Sequence, residues 1–192
     1  MKHLKLFETF NEEVYDFCFR HRLGPYTINE DGSINIDNDV RINFNGFSEL
    51  PIKFKKVTGS FHCFGNYNLT TLKGCPEYVG GDFWCYSNKL TSLEGCPKVV
   101  GDYFDCENNK IMTFEHLPFS IGGRFVCREN PIAEIWKLFE DYSKIEFLNY
   151  CDPLREPDDD SDEPIVILEK LNYFLEEIGK PNVTEVKGYK CI

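Results

Sequence analysis

Apolar residues recur along the middle of this chain in columns. Val40, Phe61, Phe83, Phe104 and Phe125 open the pattern, and Ile42, Cys63, Cys85, Cys106 and Cys127 follow them two positions later. Asn45, Asn66, Asn88, Asn109 and Asn130 stand three positions further on. Next come Phe47, Leu69, Leu90, Ile111 and Ile132, then Leu50, Leu72, Leu93, Phe114 and Ile135. Lys53, Cys75, Cys96, Leu117 and Leu138 form another column, and Val57, Val79, Val100, Ile121 and Tyr142 close the unit. The step is 21 residues, or 22 where one extra residue precedes Leu69. A fixed period of this length marks a stack of about five similar units.

Two apolar positions separated by one residue predict a short strand with two inward side chains. Neighbouring units then pair these strands in parallel, about 4.8 Å apart, and the remaining columns line the return path. One unit cannot bury its apolar side alone, whereas stacked neighbours share one core. The asparagines are expected to turn inward, where their amides bond the backbone of the bend and of the adjoining unit. The columns also bear on the nine cysteines. Ile42 replaces cysteine in one column, and Leu117 and Leu138 replace it in another. Positions that accept Ile or Leu are packing positions, so the thiols read as small core hydrophobes. Disulfides or a metal site are the alternative, but the count is odd and no Cys-x-x-Cys pair exists.

Phe83-x-Cys85-x-x-Asn88-x-Leu90 resembles the Leu-x-Leu-x-x-Asn-x-Leu core of leucine-rich repeats. Leu90-x-x-Leu93-x-x-Cys96-Pro97 resembles the short bacterial class of that family. The Phe-x-Cys strands, with Leu90-Thr91-Ser92-Leu93-Glu94-Gly95-Cys96-Pro97, resemble leucine-rich-repeat proteins encoded by tailed bacteriophages. The likeness extends to Asn130-Pro131-Ile132 with Ile135-Trp136-Lys137-Leu138-Phe139, and to Leu175-Glu176-Glu177-Ile178-Gly179-Lys180. It departs at Lys53-Phe54, where Cys-Pro stands in two other units, and beyond Tyr142. The resemblance implies an α/β repeat fold: a short solenoid with a parallel β-sheet on its concave face, an extended convex side and helical caps at both ends. It implies a binding role with no common substrate.

Three segments follow: an N-terminal helical cap over 1–33, the repeat array over 34–148, and an acidic loop with a C-terminal helical cap over 149–192. Leu4, Phe7, Phe10, Val14, Phe17 and Cys18 predict an amphipathic helix over 3–21. Its acids Glu8, Glu12, Glu13 and Asp16 argue against a signal peptide. Pro131 suits the first turn of a helix reaching about Tyr142. Pro164 opens another, with Ile165, Leu168, Leu171, Phe174 or Leu175, and Ile178 on one face, ended by Gly179 and Pro181.

The chain has 192 residues and a net charge of −11. Over half of that charge lies between Asp152 and Glu163, where seven acids face one arginine. That stretch reads as a solvated insertion. A calcium loop lacks the required Gly and Glu, and a lure for a basic partner is the sharper alternative. The negative balance disfavours direct nucleic-acid binding. No apolar run approaches 18 residues, so no membrane partner is expected; the expected location is cytoplasmic, which the bacteriophage resemblance would make the cytoplasm of a bacterial host.

Between the buried positions of each strand, alternate side chains point outward. With the strand starts Tyr103 and Arg124 added, Phe64, Trp84, Tyr86 and Tyr103 give an aromatic group beside the outward His62, Asp105 and Glu107 an acidic pair, and Arg124 and Arg128 a basic end. Exposed aromatics of this kind mark interaction sites, and Trp, Tyr and Arg dominate interface energetics. The plainer alternative is that these rings pack on one another or on a cap. No nucleophile elbow, phosphate loop, zinc pair or dinucleotide fingerprint occurs. Asp105 and Glu107 have a glycosidase-like spacing, but nothing marks a pocket around them. The expectation is therefore a non-enzymatic protein-binding module without cofactor or metal; the bacteriophage resemblance implies an accessory protein that binds and inhibits a host or defence protein. A packaged virion component is one alternative, since Leu6-Phe7-Glu8 resembles the Leu-x-Glu sites of head-maturation proteases. An acidic mimic of nucleic acid that occupies a basic groove is another.

Overall fold

A computed structural model describes residues 12–157 and 163–192. The chain is mixed α/β, built on two parallel sheets that share one stack of coils. The first sheet holds β3 (Val40–Arg41), β5 (Phe61–His62), β7 (Phe83–Trp84), β9 (Phe104–Asp105) and β11 (Phe125–Val126), paired in that order. Val40 pairs with Phe61, Phe61 with Phe83, Phe83 with Phe104 and Phe104 with Phe125. The spatial register is thus the sequence period.

The second sheet lies on the return path. Its strands are β1 (Tyr26–Ile28), β2 (Ile34–Ile36), β4 (Phe54–Val57), β6 (Tyr78–Val79), β8 (Val99–Val100) and β10 (Ser120–Ile121). Only the β1–β2 hairpin is antiparallel. The expected extended return path is therefore a sheet in its own right. Each coil makes a corner between its two strands, where Gly80, Gly101 and Gly122 fall. A Cβ there would lie 2.0, 1.9 and 2.1 Å from the carbonyl oxygens of Thr58, Gly80 and Gly101 in the preceding coil. Only glycine lets the backbones approach so closely.

Inside the coils, Phe54, Phe61, Phe83, Phe104 and Phe125 form a continuous spine, with successive ring centroids 5.0–5.9 Å apart. Trp136 continues it edge-on, 5.1 Å from Phe125. Beside the spine, Cys63, Cys85, Cys106 and Cys127 are buried as free thiols. Burial holds the Cys85 and Cys106 thiols well above their ordinary pKa and lifts Cys127 to about 12. Cys85, Cys106 and Cys127 therefore stay protonated at neutral pH, which makes them poor nucleophiles.

Four of the five asparagines turn inward. The Asn109 side-chain amide donates to Cys85 O at 3.1 Å in the preceding coil and to Cys106 O at 3.0 Å in its own. Its oxygen accepts from Leu90 N at 3.0 Å. Asn130 repeats this with Cys106 O, Cys127 O and Ile111 N, and Asn66 with Ile42 O, Cys63 O and Asn45 N. The bonds run to the preceding coil, so Asn45 in the first coil has no such neighbour and is exposed. Asn88 donates to Cys63 O and Cys85 O, but its oxygen finds no donor. The extra residue before Leu69 explains this: Leu69 N turns to Asn66 O instead.

The ends are more mixed than two helical caps. Helix α1 is described over 12–20 and buries Val14, Phe17 and Cys18. Phe17 meets Phe47 and Phe54 of the first coil. The rest of the predicted helix, with Leu4, Phe7, Phe10 and the Leu6-Phe7-Glu8 motif, lies outside the described residues. The 1–33 segment also contributes β1, which extends the second sheet through β2. At the far end come α2 (Ile132–Phe139), a 3-10 turn at Tyr142–Lys144 and α3 (Ile145–Cys151). Helix α2 stops short of Tyr142 because Glu140 takes a left-handed φ of 49°.

A third sheet follows, in which β13 (Ile165–Val166) lies between β12 (Leu154–Arg155) and β14 (Lys190–Cys191). Ile165 is thus a strand residue, and the last helix, α4 (Leu168–Glu177), begins three positions later than its apolar face suggested. Tyr189 ties this module to the coils through a 2.9 Å bond from its hydroxyl to Met112 O.

Replacing Asn109 with alanine is expected to cost about 2–3 kcal/mol, because it strands the buried Leu90 N–H and takes one of the two amide donors from Cys85 O and Cys106 O. Asn88→Ala, which strands no donor, is expected to cost distinctly less. Urea denaturation of the two variants makes the comparison, and equal losses would contradict it.

Candidate interaction face

The outward face of the five-stranded sheet carries the residues singled out by sequence. The parallel register lays them in two rows, one running Arg41, His62, Trp84, Asp105 and Val126. The other runs Asn43, Phe64, Tyr86, Glu107 and Arg128, two positions along each coil. Rings that are one coil apart therefore stack. His62 lies on Trp84 with centroids 4.2 Å apart and planes 5° apart. Phe64 lies on Tyr86 at 4.4 Å and 10°. The two pairs touch at 6.2–6.4 Å.

Two residues depart from expectation. His62, read as an open outward group, is only 8% exposed because the Trp84 ring covers it. Its Nε2 has no hydrogen-bond partner. Burial, and secondarily the Arg41 charge, lower its pKa below the ordinary 6.5, so the ring is neutral at pH 7. Tyr103 is half exposed but joins none of the stacks. It sits over Gly123, where a Cβ would come within 2.6 Å of its ring.

One residue was missed. Phe44 is 62% exposed and meets Phe64 edge-on at 5.1 Å. It occupies the bend after the strand, where Phe44, Gly65, Ser87, Asn108 and Glu129 all take positive φ of 53–66°. That conformation is uncommon for a bulky side chain. Gly65 leaves the space its ring fills, since a Cβ there would lie 2.4 Å from Phe44 Cε1. The recurrent left-handed bend is the only signal that could have found it, and Ser, Asn and Glu in the same column obscure it.

Beyond the rings lie the charges. Asp105 is partly buried, and its Oδ1 accepts from Glu107 N at 2.9 Å. Burial, reinforced by the nearby Glu107 charge and opposed by the Glu107 hydrogen bond and by Arg128, raises its pKa above the usual carboxylate value. Burial and the Asp105 charge likewise raise the Tyr86 phenol. Asp105, Glu107, Arg124 and Arg128 form no ion pair among the described residues. The structure thus brings together Phe44, His62, Phe64, Trp84, Tyr86, Asp105 and Glu107, with Arg128 adjoining and Tyr103 apart.

Open hollows lie mostly away from the rings, one of about 350 Å³ being lined by Arg124, Phe125 and Trp136. One of about 420 Å³ is bounded by Pro118, Tyr142 and Asn149, and one of about 410 Å³ runs along Lys53, Lys73 and Lys98. Another, of about 670 Å³, opens between α3 and α4 beside Tyr150 and Tyr173. Among the described residues no group of His, Cys, Asp or Glu is arranged to hold a metal ion, and no helix is long and apolar enough to cross a membrane. No protein-family model, curated protein or solved structure matches the chain.

The His62 stack has a pH signature. A histidine whose native pKa lies below its unfolded value of about 6.5 stabilises the fold fully above that pH, and the contribution is lost as pH falls through the native value. His62→Phe is expected to lose less stability than the wild type between pH 7 and pH 5. Thermal melts across that window test it, with His21, also lowered by burial, unchanged in both proteins.

Proposed function

We propose that the chain is a non-enzymatic protein-binding module of the short leucine-rich-repeat kind. Its binding surface is the ring-and-charge band on the five-stranded sheet. The single observation behind this reading is that four aromatic side chains, Phe44, Phe64, Trp84 and Tyr86, crowd together on the outside of a sheet whose interior is already filled. Rings in that position add nothing to the phenylalanine spine. On a partner's arrival they remove a rigid apolar surface from water at small entropic cost. The likeness of the repeat to bacteriophage proteins makes a bacterial host or defence protein the proposed partner, met in the host cytoplasm.

Inhibition by occupancy requires nothing further from this chain. A module that covers a functional surface blocks it without chemistry. The alternative in which the acidic chain imitates nucleic acid would place the interaction on charge alone and make it steeply salt-dependent. A ring-dominated contact is much less sensitive to salt.

Affinity capture from bacterial host lysate with wild-type protein and Trp84→Ala tests the proposal. The variant, verified as folded by its denaturation midpoint, is expected to bind the captured partner about 30-fold more weakly, or about 2 kcal/mol. Undiminished affinity would move the site off this face.

A further inference from the structure

The stacking order along the sheet carries more than a general binding role. Each aromatic pair is closed on one side and followed on the other by a carboxylate. His62 covers one face of Trp84, and Asp105 is the next residue in that row. Phe64 covers one face of Tyr86, and Glu107 is the next residue in that row. The register places each carboxylate one coil, about 4.8 Å along the sheet, beyond a ring, and the Asp105 charge is felt at the Tyr86 phenol. Neither carboxylate is neutralised by an ion pair among the described residues. Asp105 is also held partly out of water with one oxygen engaged by Glu107 N.

Unpaired carboxylates beside electron-rich ring faces favour a cation with two properties. It must gain from lying flat on an aromatic surface, and it must offer parallel donors to a carboxylate. Guanidinium has both: it is planar, weakly hydrated and forked. Ammonium is compact and strongly hydrated, and satisfies the charge alone. A neutral sugar could stack on the rings but would leave the acids uncompensated.

We propose that the Trp84–Tyr86–Asp105–Glu107 quartet is an arginine-reading site, and that the protein partner docks by an exposed basic segment whose arginine lies over the rings and bonds the carboxylates. The site rests on the protein-binding reading given above and supplies the chemistry of the partner. It also assigns the Phe64 and His62 rings a positioning role, since each backs the ring that the guanidinium would cover. The neutral state of His62 matters here, because a second cation behind Trp84 would oppose the first.

The probes are two blocked pentapeptides of equal charge, Gly-Arg-Gly-Arg-Gly and Gly-Lys-Gly-Lys-Gly, titrated into isotopically labelled protein and followed by NMR. Three proteins are compared: wild type, Asp105→Asn with Glu107→Gln, and a control with Glu146→Gln and Glu169→Gln on the exposed surfaces of α3 and α4. Asparagine keeps the acceptor that Glu107 N uses, so the fold is retained. The expected result is a shift of the Trp84 indole and Tyr86 ring signals by the arginine peptide. Affinity should be about tenfold weaker for the lysine peptide, lost in the first double variant and kept in the control. Equal binding of both peptides, equal losses in both double variants, or shifts away from the quartet would each overturn the site. Those outcomes would leave intact a Trp84-dependent capture of the partner, so the two readings fail separately.

Discussion

The structure depends on one contact repeated from coil to coil: an asparagine amide inserted between two backbones. Asn66, Asn109 and Asn130 each bond a carbonyl of their own bend, a carbonyl of the preceding coil and one N–H of that coil. Without the amides of Asn109 and Asn130 the buried Leu90 and Ile111 N–H groups would be left unpaired, at a cost of about 1–3 kcal/mol each, and Cys63 O, Cys85 O and Cys106 O, which each accept from two successive asparagines, would lose one of their two donors with each amide removed. Leucine would fill the same volume and strand those N–H groups. The phenylalanine spine supplies more energy, about 2–3 kcal/mol for each buried ring, but it is tolerant of sliding. The amides are directional, so they fix which coil sits on which and in what register.

Register then determines everything on the outside. Because alternate residues of a strand face opposite ways, holding Phe83 and Cys85 inward leaves Trp84 and Tyr86 no choice but to face outward. Parallel pairing at the repeat period places Trp84 on His62 and Tyr86 on Phe64. The stacks are consequences of the interior rather than of any attraction that the rings had to find. The glycine corners act with the same sense, since the close backbone approach at Gly80, Gly101 and Gly122 keeps the coils near the spacing at which face-to-face stacking of rings is possible.

What could be read from the sequence divides along this line. Much that the period fixes was legible: the two inward strand columns, the thiols of Cys63, Cys85, Cys106 and Cys127, four of the five asparagines and the row to which each outward residue belongs, whereas Asn45 and Lys53 are exposed and Cys96, Leu117 and Leu138 are only half-buried. The second sheet was obscured because β6, β8 and β10 each hold a single column residue, Val79, Val100 and Ile121, and so lack the spaced apolar pair that marked the strands of the first sheet. The third sheet joins Ile165 to Lys190, a pairing outside the repeat and invisible to periodicity. At the site, the row of His62 was evident but its burial was not, because covering depends on the rotamer of Trp84. Phe44 was lost for a different reason: its column alternates Phe, Gly, Ser, Asn and Glu, and what these share is a backbone angle, not a side-chain type.

The same division constrains how such a surface can change. An inward phenylalanine touches the coil on either side, so altering it disturbs three units at once. An outward residue touches its row neighbours only, and the core is indifferent to its chemistry: the row that holds Trp84 also holds Arg41, Asp105 and Val126. Ring, acid, base and aliphatic group are all compatible with one architecture. The band of rings followed by carboxylates is therefore not demanded by folding. Two features even oppose stability, namely the unpartnered Nε2 of His62 and the desolvated carboxylate of Asp105. Both groups cost the free chain stability, and they stand where the scaffold would accept cheaper ones.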